Sequence, residues 1–218
     1  MRGMVSIKYS GDIFALSHSN GCCYFALSVT LESNLRVQWA KHVTLSTRHL
    51  IKLDADSRRK LPDVRGKPKR LVLMVQNEGV YEEEQYEKIM RGELSEAPKC
   101  KIIEYTAYKM NDQGQMRAAL HQLRRGGPYA VLRISSNYDD CKRSGVIYRY
   151  DPNLIVHRED GLRQTHAVSV VSFAVEAKAP ILECQDSHGR RFGREGFLAV
   201  DPCSVKELYS FRVRLSIE

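Results

Sequence analysis

Apolar residues recur at helical spacing in the first half of the chain, and polar residues separate these stretches. The spacing predicts helices over 22–39, 44–51 and 71–77. A charged stretch rich in turn-forming residues, 54–70, is expected to be a loop between the second and third of these helices. The first half is therefore predicted to be mainly helical.

The second half begins with a helical pattern over 113–125 and continues with short apolar or alternating runs that are typical of strands. Helices followed by strands predict an α+β class, with one subdomain over about 1–105 and a β-rich one over 106–218. The predicted strands lie at 129–135, 145–150, 166–175, 180–186 and 196–200.

Composition narrows the possible partners. The 218 residues carry 34 basic and 26 acidic side chains, a formal charge of +8, and much of the excess lies at 58–70 and 189–194. Solvated loops explain these runs better than a nucleic-acid site does, because no aromatic residues are interleaved with them. No apolar stretch of 18 residues occurs, so no membrane contact is expected, and no leader is visible that would assign a compartment.

The six cysteines match neither a compact disulfide framework nor a zinc motif, since no CxxC or CxxH pair occurs. No metal ion or cofactor is expected. Cysteine is often a small buried hydrophobe, which is the expectation for Cys100, Cys141, Cys184 and Cys203.

Cys22, His166 and Asp186 form a different kind of candidate. A thiol, an imidazole and a carboxylate are the parts needed for nucleophilic acyl transfer. His166 follows Cys22 by 144 residues (166 − 22), within the roughly 130–150 residues typical of a papain-type pair. Cys22 is also predicted to begin a helix, and a helix N-terminus lowers the pKa of a thiol.

The segment 22-CCYFALSVTLESNLRVQWAKHVTLSTRHL-50 resembles the catalytic helix of papain-like cysteine peptidases, C-W-A-F-S-x-x-x-x-x-E, and the motif L-S-x-x-x-L that follows it. With Cys22 as the nucleophile, Phe25, Glu32 and Leu45 fall on the family positions without a gap. Taking Cys23 as the alternative nucleophile moves all of them out of register by one. The resemblance therefore favours Cys22.

The second half carries further matches. The segments 126-GGPYAVLRI-134 and 144-SGVIY-148 resemble family motifs, and 165-THAVSVVSFA-174 is similar to [ND]-H-A-V-x-x-V-G-Y-G. The segment 182-LECQDSHGRRFGREGFLAV-200 resembles W-x-[VI]-K-N-S-W-G-x-x-W-G. Together they imply a single papain-like domain, 1–218, with a cleft between a helical half and a β-barrel-like half. They place the catalytic histidine at His166.

Several family residues are replaced. Asp186 stands where the family has asparagine, and His188 and Phe192 stand where it has tryptophans. The oxyanion-hole glutamine is missing before Cys22, and its place could be taken by His18, Ser19 or Asn20. The glycine-rich substrate-binding turn becomes 63-DVRGK-67, which retains Gly66. The expected cleft residues are Gly66, Thr165 and His188.

The resemblance implies a thiol-dependent peptidase that acts on peptides or proteins and is open to proteinaceous protease inhibitors. The missing oxyanion donor supports an alternative, a catalytically impaired homologue that binds peptides without cutting them. The family is mostly secreted or lysosomal and vacuolar. A nucleic-acid-binding protein is the weakest of the three interpretations.

Overall fold

A computed structural model describes residues 21–61, 67–110, 112–176 and 179–216. Helices and strands both contribute substantially, so the predicted α+β class is confirmed. The described helices are α1 (Gly21–Trp39), α2 (Thr47–Lys60), α3 (Lys67–Asn77), α4 (Glu83–Met90) and α5 (Gln113–Gln122), with 3-10 turns at Leu123–Arg125, Ser136–Lys142 and Pro202–Ser204.

The described strands form one eight-stranded sheet in the order β1-β2-β8-β3-β5-β6-β7-β4. Neighbouring strands are antiparallel except β4 and β7, which run parallel. Because β5 and β6 are antiparallel neighbours, the start of β5 lies at the same end of the sheet as the end of β6. The strands are β1 (Val80–Tyr81), β2 (Lys99–Tyr108), β3 (Tyr129–Arg133), β4 (Ile147–Tyr148), β5 (Thr165–Glu176), β6 (Ala179–Gln185), β7 (Phe197–Val200) and β8 (Val205–Ser216).

Helix α1 is the central helix of the fold. Residues 26–32 are all buried, so every face of this part of the helix is covered by other elements. The helix contacts α2 and the strands β3, β5 and β8. Two buried hydrogen bonds join it to the sheet region, from Thr30 Oγ1 to Ser169 Oγ at 2.9 Å and from Asn34 Nδ2 to the Gly127 carbonyl at 2.8 Å. These contacts hold the start of α1 in a defined position against β5.

The buried apolar residues form two clusters. The first joins α1, α2 and α3 to β2, β3 and β8, and it includes Leu27, Leu50 and Val72. The second contains residues between 108 and 208, such as Leu132 and Leu182. Strands β3 and β8 contribute to both clusters, and the boundary between the two predicted subdomains stays a prediction.

The charged segment 54–70 was predicted to be a loop, and this is wrong for its described residues. Helix α2 continues to Lys60, and α3 already begins at Lys67. Ser46 caps α2 by accepting a hydrogen bond from the His49 N–H at 3.1 Å. Leu53 and Ser57 are buried, and the basic residues of the last turn suit the negative end of the helix dipole. The charges of this segment therefore belong to the exposed face of a helix.

The other predicted helices are confirmed, and each predicted strand segment contains a strand, although 145–150 contains only Ile147 and Tyr148. Helix α4 and the strands β1, β2 and β8 were not predicted. All six cysteines are free thiols, and Cys203 is exposed, so its predicted burial is wrong. Among the described residues, no helix is long and apolar enough to cross a membrane.

Candidate active site

The three candidate catalytic residues come from separate elements that meet at one end of the sheet. Cys22 is the second residue of α1, His166 is the second residue of β5, and Asp186 follows the last residue of β6. The antiparallel pairing of β5 with β6 brings His166 and Asp186 together. The bond between Thr30 and Ser169 then holds α1 against β5, so that Cys22 lies beside His166.

His166 connects the thiol to the carboxylate. Its Nε2 lies 2.9 Å from Asp186 Oδ2, and its ring interacts with the Cys22 side chain closely enough to shift the pKa values of both groups. Since Nε2 is engaged by the carboxylate, Nδ1 is the ring nitrogen left for the thiol. The His166 side chain is only 11% exposed and that of Asp186 is fully buried, so little water competes for these hydrogen bonds.

The electrostatics favour a thiolate and an imidazolium. Hydrogen bonding from the Cys23 side chain, together with the hydrogen bond and the charge of His166, outweighs burial and lowers the pKa of Cys22 to about 4. Burial disfavours a charged His166, but the hydrogen bonds to Asp186 and Cys22 raise its pKa to about 10. Between these two values the ionised pair is favoured, and a thiolate is the form in which a cysteine can act as a nucleophile.

Cys23, the alternative nucleophile, has a different environment. It is 9% exposed and faces the core, where it packs in the first apolar cluster. The hydrogen bond with Cys22, burial and the Cys22 charge all raise the pKa of Cys23 well above its usual value. Cys23 is therefore a neutral donor to Cys22, and the geometry supports Cys22 as the nucleophile.

Asp186 accepts hydrogen bonds on both carboxylate oxygens. Oδ2 accepts from the Tyr138 hydroxyl at 2.5 Å as well as facing His166, and Oδ1 accepts from the backbone N–H of His188 at 2.7 Å. The His188 ring nitrogen Nδ1 also bonds to Oδ1. Burial opposes ionisation, but the hydrogen bonds and charges of the two histidines outweigh it and hold the pKa of Asp186 well below its usual range. The carboxylate is therefore an anion at any working pH.

Aromatic rings cover this hydrogen-bond network. The His188 ring lies over His166 with centroids 5.1 Å apart, and it stacks on Phe192 at 4.9 Å. Phe192 is 5% exposed, whereas the His188 side chain is 51% exposed. His188 and Phe192, which stand where the resemblance expects tryptophans, together shield the His166–Asp186 hydrogen bond from one side.

His166, Asp186 and His188 could also be considered as metal ligands, since their ligating atoms lie within 4.8 Å of one another. Ligand atoms around a tetrahedral zinc ion, at about 2.0–2.1 Å from the metal, are separated by roughly 3.3 Å. Here the Asp186 oxygens are closer than that to both histidine nitrogens, and they already share protons with them. The spacing therefore suits a hydrogen-bond network better than a metal ion.

The remaining predicted site residues have different outcomes. Thr165 begins β5 beside His166 and pairs with Arg133, and it is partly buried. Gly66 lies outside the described residues. The same holds for the candidate oxyanion residues His18, Ser19 and Asn20.

Tyr138 and the donor role of Cys23 were not predicted from the sequence. Tyr138 is 48 residues from Asp186 in the chain and belongs to none of the recognised motifs, so no local pattern could indicate the contact. Cys23 was considered only as a competing nucleophile. Its proximity to the neighbouring thiol is apparent only in the folded structure.

Comparisons with known proteins agree with this fold. The model of the papain family of cysteine proteases matches residues 14–209. Solved structures with the same fold include a cysteine protease of Carica candamarcensis in complex with E-64, at TM-score 0.62 and 16% identity, covering 88% of this chain and 87% of that one. No protein of curated function matches the chain by sequence.

Two other solved structures are similar. Procathepsin L 3 of the Tenebrio molitor larval midgut has TM-score 0.61 and 17% identity, over 88% of this chain and 63% of that one. Procathepsin B S9 of Trypanosoma congolense has TM-score 0.63 and 12% identity, over 90% of this chain and 69% of that one. The chain belongs to the papain family of cysteine proteases, and the predicted papain-like fold is confirmed.

Proposed function

We propose that this protein is a cysteine peptidase in which Cys22 is the nucleophile, His166 the general base and acid, and Asp186 the group that orients His166. The observation that carries the proposal is the position of the His166 ring, whose Nε2 lies 2.9 Å from Asp186 Oδ2 and which interacts with the Cys22 side chain so that the pKa of each is shifted toward the charged form. The position of Cys22 at the start of α1 supports it further, because the helix dipole stabilises a thiolate there.

The reaction follows from this geometry. The Cys22 thiolate attacks a peptide carbonyl, and the carbonyl π electrons move onto oxygen to give a tetrahedral oxyanion. The backbone N–H of Cys22, near the start of the described part of α1, is the donor that we propose for this oxyanion. When the carbon–nitrogen bond breaks, His166 gives its proton to the leaving amine. His166 then removes a proton from water, which attacks the thioester and releases Cys22.

Labelling by an active-site-directed peptide analogue tests the proposal. E-64 is bound by the Carica protease, which makes it a suitable probe for this chain. Covalent labelling should disappear in Cys22→Ala and His166→Ala and persist in Cys23→Ala, with hydrolysis of a mixed peptide library following the same order. Labelling of Cys23 alone, or of neither cysteine beyond the rate of an ordinary thiol, would contradict the assignment.

A peptide-binding homologue that does not cut its ligand is the second candidate. It is favoured by one observation, the absence of any glutamine among residues 1–21, where the resemblance expects an oxyanion donor. Loss of one oxyanion donor costs about 10²–10³ in rate in other hydrolases. If this candidate is right, Cys22 should still be labelled, while peptides and protein inhibitors bind without being hydrolysed.

A further inference from the structure

Tyr138 contacts the candidate site from an element that carries none of the other site residues. It lies in the 3-10 turn Ser136–Lys142, and its hydroxyl donates to Asp186 Oδ2 at 2.5 Å. The same oxygen lies 2.9 Å from His166 Nε2, so the phenol and the imidazole share one carboxylate oxygen. The hydrogen bond from the Tyr138 hydroxyl therefore reduces the negative charge that Oδ2 presents to His166.

Packing holds the Tyr138 ring in one orientation. The residue is 8% exposed, and its ring stacks on Phe192 at 5.6 Å and lies edge-on to Tyr148 at 4.9 Å. The hydroxyl points into a buried region, where burial and the neighbouring carboxylate raise the pKa of Tyr138 far above its usual value. The phenol therefore stays protonated and remains a donor.

A carboxylate in the orienting position needs such a donor more than an amide would. It has two equivalent oxygens and no N–H of its own, so surrounding donors decide which oxygen faces His166 and in what orientation. Its full negative charge also binds the imidazolium more strongly than a neutral amide does. His188 occupies Oδ1, which leaves Tyr138 as the donor that orients Oδ2.

We propose that Tyr138 is a positioning residue of this site, whose hydroxyl holds Asp186 Oδ2 against His166 and moderates the charge that this oxygen presents to the imidazolium. The inference rests on the proposed function. If it is correct, removing the hydroxyl leaves more charge on Oδ2, so that His166 keeps its proton to higher pH. The carboxylate is also less firmly oriented, which slows proton transfer without affecting peptide binding.

The test measures the rate of Cys22 alkylation by iodoacetamide against pH, followed at that residue by peptide mass spectrometry on the full chain. Tyr138→Phe should move the alkaline transition, which reports the His166 proton, upward by about 0.5–1 pH unit. In peptide hydrolysis, kcat should fall by about 3- to 10-fold with KM unchanged within about twofold.

Tyr148→Phe is the matched control. Tyr148 is also buried and packs against Tyr138, but its hydroxyl donates to the Arg133 carbonyl at 2.7 Å and accepts from the Ser135 N–H at 3.0 Å. The Tyr148→Phe variant should lose about as much stability as Tyr138→Phe, and its alkaline transition should stay where it is in the unsubstituted protein. Replacing Tyr138 with 3,5-difluorotyrosine keeps the ring and strengthens the donor, and it should move the transition downward even if Tyr138→Phe does not fold.

An unchanged transition in both Tyr138 variants, or an equal shift in Tyr148→Phe, would overturn the inference. A protein that shows the expected shifts in alkylation but hydrolyses no peptide would contradict the proposed function alone. If Cys22 in the unsubstituted protein reacts like an ordinary free thiol, the ion pair does not exist and both proposals are wrong.

Discussion

Replacing Asp186 with asparagine removes one buried negative charge next to His166 and keeps the shape of the side chain. The two groups are 2.9 Å apart at their nearest atoms, and the Asp186 side chain is fully buried. Because both charges are delocalised, a separation of about 4 Å is appropriate, and at an effective dielectric constant of about 20 the attraction is about 4 kcal/mol. This corresponds to about 3 pKa units. Asp186→Asn should therefore lower the pKa of His166 from about 10 to about 7–8.

The assay is again the pH dependence of Cys22 alkylation, measured between about pH 4 and 11. Without the Asp186 anion, His166 loses its proton at a lower pH, so the alkaline transition of the alkylation rate moves to lower pH. Asp112→Asn is the control, because the Asp112 carboxylate is exposed and caps α5 by accepting from the Gln115 N–H at 2.9 Å. An alkaline transition in Asp186→Asn within about half a unit of the unsubstituted protein would refute the electrostatic argument.

Two further predictions concern stability. Gly126→Ala should lower the free energy of unfolding in urea by about 2–4 kcal/mol, because Gly126 has φ +138° and an added Cβ would lie 2.2 Å from Asn34 Oδ1. Gly145→Ala, with φ +85° and open space around the Cβ, should cost only about 1 kcal/mol, and an equal cost at both positions would contradict the clash. Burial lowers the pKa of His49 to about 4. Between about pH 6.5 and 4, His49 is therefore protonated in the unfolded chain but not in the folded protein, so the free energy of unfolding falls as the pH drops through this range. His49→Gln should reduce this fall by about 1–2 kcal/mol after allowance for solvent screening, and a pH dependence identical to that of the unsubstituted protein would count against it.

The elements that local patterns predicted are those whose burial is strongly periodic or continuous. Helix α1 has apolar residues at helical spacing, and strands β5 and β6 are nearly continuous apolar runs, so the sequence indicates both type and position. Strand β8 was missed although its second half alternates buried apolar residues with the exposed Arg212 and Arg214, a pattern typical of a half-buried strand. In its first half the buried Leu208 and Tyr209 are adjacent, which interrupts the alternation. Its long pairing with β2, which is distant in the chain, decides its structure.

The residues of the candidate site also divide into those that sequence motifs predict and those that only the fold reveals. Cys22, His166 and Asp186 could be located from motifs because each lies in a short stretch of characteristic neighbours. Tyr138 could not, because a hydrogen bond between residues 48 positions apart depends on how the 3-10 turn folds over the end of β6. Motif spacing therefore indicates the candidate reacting groups, whereas the groups that shift their pKa values become apparent only from the fold.

The structure also indicates where a loss of activity would arise. Asp186 replaces the family's asparagine, and its carboxylate accepts hydrogen bonds on both oxygens, with Oδ2 directed at His166. We therefore expect the thiolate and imidazolium to form without the family's asparagine, and Cys22 to react rapidly with a small alkylating agent. Peptide hydrolysis additionally requires donors for the oxyanion, which alkylation does not. Suppose that Cys22 is alkylated rapidly while peptide hydrolysis is about 10²–10³ times slower than in an enzyme with an intact oxyanion hole. The loss of activity would then be assigned to the missing oxyanion donor and not to the ion pair.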